Sequence, residues 1–264
     1  RYSYYNVGGI AGHSYGSITG CYNKGEVRGG DNVGGISGRN SSNIIRNCYN
    51  TGSISGGSNV GGVVGYSGGG VTGCHNDGTV IGSGSCIGGI MGEGIGAVSA
   101  ISKCYNTGSV SGEEGTVGGI SGGHVLATSN CYNAGTISGK EAYGITAGNL
   151  SGVWNSYNIG KVYGYAILGG QEMDEAENNY YLKGSATVEV DEEQEKAEEK
   201  TFEDILDFHV KFERIHPFQD GNGRVGRLIM FKECLKYNIV PFIIEDNLKM
   251  FYYRGLKEWN NEKG

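Results

Sequence analysis

Along the first two thirds of the chain, apolar residues come singly, at fixed distances from glycine, asparagine and cysteine. One phrase recurs: CYNKGEVRG from Cys21, CYNTGSISG from Cys48, CHNDGTVIG from Cys74, CYNTGSVSG from Cys104, CYNAGTISG from Cys131 and SYNIGKVYG from Ser156. A degraded copy, NYYLKG, starts at Asn179. Successive copies begin 27, 26, 30, 27, 25 and 23 residues apart. A second phrase sits between them, VGGIAG from Val7, VGGISG from Val33, VGGVVG from Val60, IGGIMG from Ile87 and VGGISG from Val117, with YGITAG from Tyr143 a looser copy. No apolar face recurs at the helical spacing of 3.6, and glycine is too frequent for helices. Short apolar alternations broken by Gly, Asn and Ser predict short strands joined by tight turns.

A repeat period in the twenties predicts units that stack. Each repeat is then one coil of a β-solenoid, whose apolar positions are buried only by neighbouring coils about 4.8 Å away. The positions align into columns. Ile18, Ile45, Val71, Ile101 and Val153 precede the Cys (or Ser) position by three and should point inward, with Thr128 breaking the row. The Cys column should point inward too, as should Val27, Ile54, Val80, Val110, Ile137 and Val162. Asn23, Asn50, Asn76, Asn106, Asn133 and Asn158 should form a stacked amide ladder. Gly25, Gly52, Gly78, Gly108, Gly135 and Gly160 are expected to supply a turn with positive φ. Tyr22, Tyr49, Tyr105, Tyr132 and Tyr157, with His75 in the third place, form an aromatic column. It reads either as a ladder that stabilises neighbouring coils or as a stacking surface for a glycan or peptide. Zinc sites want ligands two to four residues apart, so a cysteine spacing near 26 reads as a structural period.

The pattern changes near residue 184. Of 51 glycines, only Gly221, Gly223, Gly226, Gly255 and Gly264 follow it, and both prolines, Pro217 and Pro241, lie beyond it. SATVEV, from Ser185, reads as a terminal strand, and DEEQEKAEEK, from Asp191, as a solvated charged run. In TFEDILDFHVKFERI, Phe202, Ile205, Leu206, Val210, Phe212 and Ile215 fall mostly on one helical face. Thr201 with Asp204 makes a helix start, and Pro217 ends the helix near His216. A second helix is expected from about Asn222 through RVGRLIMFKECLKYN, and a third from Asp246 to Trp259. The predicted fold is therefore an all-β solenoid of glycine-rich repeats over 1–184, a terminal strand and charged linker over 185–200, and a small all-α segment over 201–264.

The net charge of −7 argues against a nucleic-acid partner held by phosphate contacts. No run of 18 apolar residues exists, so no transmembrane helix is expected, and no signal peptide is visible.

Candidate chemistry is concentrated in HPFQDGNGRVGR, His216 to Arg227. Gly221, Asn222 and Gly223 open the second predicted helix, where backbone N–H groups and the helix terminus favour an anion. Arg224 and Arg227, three apart, share a face and can grip a polyphosphate bidentately. Asp220 can hold a divalent cation, and His216 can take a proton from an attacking hydroxyl. Gly221, Gly223 and Gly226 also satisfy G-x-G-x-x-G, but a helix precedes them and no parallel strand set surrounds them, so a dinucleotide fold is rejected. A Walker loop is absent.

The stretch resembles the Fic family motif, H-x-F-x-[D/E]-G-N-G-R-x-x-R, with every fixed position present. The resemblance implies transfer of AMP from Mg-ATP to a Ser, Thr or Tyr hydroxyl of a target protein. By position, His216 would be the general base, Asp220 the Mg²⁺ ligand, and Gly221, Asn222 and Gly223 the anion hole for the α- and β-phosphates. Arg224 and Arg227 would neutralise the β- and γ-phosphates, and Phe218 would anchor the loop. Gly223 favours AMP transfer, because the phosphotransferase branch carries Lys there. Only some 15 Fic-like residues precede His216, so a truncated Fic segment is expected. The inhibitory pattern [S/T]-x-x-x-E-[G/N] of many members is not present in the sequence.

Residues 5 to 184 resemble the GLUG repeat family, found on bacterial surface and secreted proteins as interaction or scaffold modules. That resemblance implies a protein or glycan ligand for the repeats. Two functions follow from the two resemblances: an AMP-transferase whose solenoid recruits partners, or an interaction solenoid carrying an inactive Fic remnant. The compartment stays open between cytoplasmic, for the Fic chemistry, and secreted or cell-surface, for the repeats.

Overall fold

The structure is a computed structural model that describes residues 4–96, 98–148, 152–168, 176–177, 179–181, 184–188, 206–211, 229–230 and 254. The chain divides into two compact units, Arg1–Val190 and Asp191–Gly264.

The first unit is a β-solenoid. Its strands are two to four residues long, and every pair is parallel and joins corresponding positions of successive coils. One ladder runs from Ile18–Thr19 through Ile45–Arg46, Val71–Thr72, Ile101–Ser102, Ala127–Ser129 and Gly152–Trp154 to Ala176–Glu177. A second follows the phrase Tyr-Asn, from Tyr22–Asn23 to Tyr180–Tyr181, and also has seven strands. A four-stranded ladder holds Ala11–Ser14, Ser37–Asn40, Val64–Ser67 and Met91–Gly94. The remaining two ladders, beginning at Val7–Gly8 and Val27–Arg28, merge in Val162–Tyr165. That strand pairs with both Ile137 and Tyr143, because the coil has shortened and one strand spans both positions.

The predicted inward columns are inward. Ile45, Val71, Ile101, Thr128 and Val153 are buried, so the hydroxyl at Thr128 does not break the row. Cys48, Cys74, Cys104 and Cys131 are buried and free, while Cys21, in the first coil, is half-buried. They fill one core with Ile36, Ile90 and their equivalents, and Val33, Ile54, Val80 and Ile87 belong to a second. Each thiol donates to the carbonyl two residues back, as Cys48 Sγ does to Arg46 O at 3.2 Å, and those of Cys48, Cys74 and Cys104 accept the preceding coil's cysteine N–H, as Cys74 Sγ does from Cys48 N at 3.4 Å. A small buried residue with one weak donor and one weak acceptor fits this position.

The amide ladder is continuous. From Asn23 to Asn158 each Nδ2 donates to the Oδ1 of the next coil at 2.8 Å. Asn50, Asn76, Asn106, Asn133 and Asn158 have no exposed surface. A buried amide is tolerated only when its polar atoms are paired, so a coil out of register would strand one amide per turn.

The glycine expectation needs correction. Positive φ is not found at Gly25, Gly52, Gly78, Gly108, Gly135 or Gly160. It falls instead just before the Cys position, at Gly20, Asn47, Gly73, Lys103, Asn130 and Asn155. The predicted glycines are there for closeness: a Cβ on Gly52, Gly78, Gly135 or Gly160 would lie 2.0 Å from the carbonyl oxygen of the equivalent glycine one coil back.

In the second unit, residues 206–211 form a helical turn, and residues 229–230 and Arg254 also have helical backbone. Asp207 and Lys211, four apart, pair at 2.9 Å, while His209, Val210 and Met230 are buried. The rest of the three predicted helices lies outside the described residues. No described helix is long and apolar enough to cross a membrane.

Candidate functional site

Beside the amide ladder runs the aromatic ladder. Rings of Tyr22, Tyr49, His75, Tyr105, Tyr132 and Tyr157 stack in order, with centroids 5.2, 4.9, 4.6, 5.1 and 5.3 Å apart. In-register parallel strands repeat a side chain each coil, so the spacing follows the sheet. Tyr132 and Tyr157 are buried and Tyr22 is exposed. Burial pushes the Tyr105 phenol up to about 12, helped by Asp77, and raises Tyr132 and Tyr157 further. Of the two alternatives for this column, the stabilising ladder describes its buried part, because a ring stacked on both faces offers none to a ligand.

His75 is the exception. It is buried, its Nε2 lies 3.7 Å from Asp77 Oδ2, and its Nδ1 has no hydrogen-bond partner among the described residues. Asp77 is also engaged by Thr107 Oγ1 at 2.6 Å. Desolvation lowers the His75 pKa below its ordinary 6.5, and Asp77 only partly opposes this. The unfolded chain therefore takes this proton first as pH falls. The contribution is fully present above about pH 6.5 and is lost as pH falls toward the folded pKa. His75→Tyr, which restores the column's residue, is expected to reduce the loss of thermal stability between pH 8 and 5. An unchanged difference in melting temperature between those pH values would refute this.

Two features were not anticipated. Asn6, Asn32 and Asn59 form a second amide ladder, each bond 2.9 Å, all at positive φ. The signal was in the sequence, as NVGG occurs at all three places. The next coil has Cys86 there, also at positive φ, and burial, with Glu93 beside it, pushes its thiol up to about 12. Glu93 also faces His124, Oε1 to Nδ1 3.6 Å.

The residues expected to carry phosphate chemistry, His216, Asp220, Gly221, Asn222, Gly223, Arg224 and Arg227, lie outside the described residues, as does Phe218. The described helical turn at 206–211 ends shortly before them, and residues 229–230 follow shortly after.

Residues 159–234 match the Fic/DOC family, and residues 3–28 match the GLUG motif. The chain carries a Fic/DOC segment. Over 49 residues it is 43% identical to the protein adenylyltransferase Fic of Drosophila virilis, a match covering 19% of this chain and 10% of that protein. The proteins of the same name from Drosophila melanogaster and Drosophila simulans match with the same figures. The chain thus spans about a tenth of the length of these curated relatives. Among solved structures, the crystal structure of a Bacteroides ovatus protein provisionally named an immunoglobulin A1 protease aligns with a TM-score of 0.40 and 20% identity. That alignment covers 63% of this chain and 66% of the other. The Fic/DOC match begins within the solenoid: Val162 and Tyr165 lie inside it and pair with the preceding coil.

Proposed function

We propose that the protein is a protein adenylyltransferase whose solenoid is a scaffold for partner or target binding. What supports AMP transfer is the motif from His216 to Arg227, complete at each specified position and lying within the Fic/DOC match. A hydroxyl oxygen of a target Ser, Thr or Tyr attacks the α-phosphorus of ATP. The bond from that phosphorus to the bridging oxygen breaks, pyrophosphate leaves, and His216 accepts the hydroxyl proton. Backbone N–H groups of Gly221, Asn222 and Gly223 hold the α- and β-phosphates, and Arg224 and Arg227 neutralise the β- and γ-phosphates. Asp220 offers the hard carboxylate oxygen that suits Mg²⁺, which supplies charge neutralisation on the phosphates when bound. Catalysis of this kind is positioning plus electrostatic stabilisation of the displacement.

The test is incubation of the full chain with Mg²⁺, a cell lysate and ATP labelled on either the α- or the γ-phosphate. Protein-bound label is expected from the α-label and not from the γ-label. No transfer, together with no ATP-induced rise in melting temperature, would overturn AMP transfer. It would favour the alternative, an interaction solenoid bearing an inactive Fic remnant, which the uninterrupted ladders of the first unit also support.

A further inference from the structure

On one face of the solenoid two successive coils present neutral hydroxyls, between the exposed Ile81 of the coil before, which the register sets beside Ser111, and exposed tyrosines of the coil after. Ser109 and Ser111 flank the inward Val110, and Thr136 and Ser138 flank the inward Ile137, all four exposed or half-buried. Register places Ser111 beside Ser138, and Ile137 beside Val162. Alternation along the next strand therefore sets Lys161 beside Thr136 and Tyr163 beside Ser138. Tyr163 is 47% exposed and Tyr165, two residues on, 41%. The Tyr165 ring stacks on Tyr143 at 5.3 Å, which fixes its plane, and the Lys161 amine lies 4.7 Å from the Tyr163 centroid.

We propose that this face binds a neutral polysaccharide, laid across successive coils with sugar rings against Tyr163 and Tyr165. The chemistry selects the partner. Serine and threonine hydroxyls both donate and accept, as sugar hydroxyls do. A charged polymer finds no field of one sign, because the bordering charges include the acids Asp77, Glu113, Glu114 and Glu141 and the cations Lys140 and Lys161, and Asp77 is already engaged by Thr107 and His75. An apolar partner would strip water from the hydroxyls without replacing their hydrogen bonds, which is costly. An aromatic face beside hydroxyls suits a ring with C–H on one side and O–H at its rim. The coils are hydrogen-bonded on both sides, so little ordering is required on binding.

Native electrophoresis of the full chain through gels containing xylan, mannan, mixed-linkage β-glucan or dextran, each separately, tests this. Retardation is expected in at least one, weakened at least tenfold by the double change Tyr163→Ala and Tyr165→Ala. The double change Thr136→Glu and Ser138→Glu, which charges the field without touching the core, should weaken it similarly. Tyr22→Ala, at the other end of the solenoid, should not. Circular dichroism melts identify a variant that has lost its fold, and the other pair then decides. No retardation in any neutral gel overturns the proposal. So does retardation only in polygalacturonate, or retardation unchanged in both folded double variants.

Discussion

Gly108→Ala is expected to melt the solenoid far earlier than any surface substitution. A Cβ there would lie 1.9 Å from Gly78 O, 2.8 Å from Gly78 C and 3.0 Å from Asn76 Nδ2. Two of these atoms are backbone and cannot swing away. The third belongs to a buried amide that donates to both Gly78 O and Asn106 Oδ1 at 2.8 Å. Relief requires the two coils to separate locally, which breaks the amide ladder and opens the cores beside it. Overpacking in a well-filled interior costs about 1–3 kcal/mol, and loss of a buried hydrogen bond adds about 1–3 kcal/mol. Each coil contacts only its neighbours, so the break should divide the solenoid into two less stable stretches. Gly16→Ala is the control, because no atom lies within 4 Å of its added carbon. A thermal melt by far-ultraviolet circular dichroism should show a large drop for Gly108→Ala and almost none for Gly16→Ala. Equal curves would mean that coil spacing is not set at this glycine column.

His216→Ala should lower label transfer from α-labelled ATP by about 10²–10⁴-fold, the usual weight of a general base. This prediction tests the proposed chemistry separately from binding. The alanine variant keeps Gly221, Asn222, Gly223, Arg224 and Arg227, so ATP with Mg²⁺ should still raise the melting temperature of the second unit. Arg227→Ala should lose transfer and much of that rise together, because it removes a contact to the phosphates that is made before the reaction. Both variants should leave the melting of the first unit unchanged, because its ladders pair residues of successive coils with one another. Transfer undiminished in His216→Ala would remove the histidine from the proposed role. A lost ATP-induced rise in that variant would show that it binds nucleotide rather than moving a proton.

The repeat made much of the first unit legible. One phrase at a near-constant period puts equivalent residues into equivalent places, so a column of Val or Ile is inward in every coil or in none. Asn106 could be assigned to a buried ladder because five equivalents occupy the same position. The motif from His216 to Arg227 was legible for a different reason: it specifies many polar residues at fixed spacing, which a core or a surface does not require.

The errors share a cause. Gly25 and its equivalents sit at a bend, as expected, but without positive φ; from Gly52 on, glycine is required there by contact between coils, and one coil's sequence does not contain the distance to the next. Thr128 was expected to break a row, yet it is buried in line with Ile101 and Val153. Neither the merging of two ladders at Val162–Tyr165 nor the contrast between exposed Tyr22 and buried Tyr157 was visible along the chain. The sequence by itself determined the solenoid, its inward columns and the Fic resemblance of His216 to Arg227. Only the tertiary structure decided which glycines hold coils together, which tyrosines remain exposed, and where a histidine is buried beside a carboxylate. These properties depend on what the neighbouring coil places against a residue, and stacking brings that neighbour from about 25 residues away.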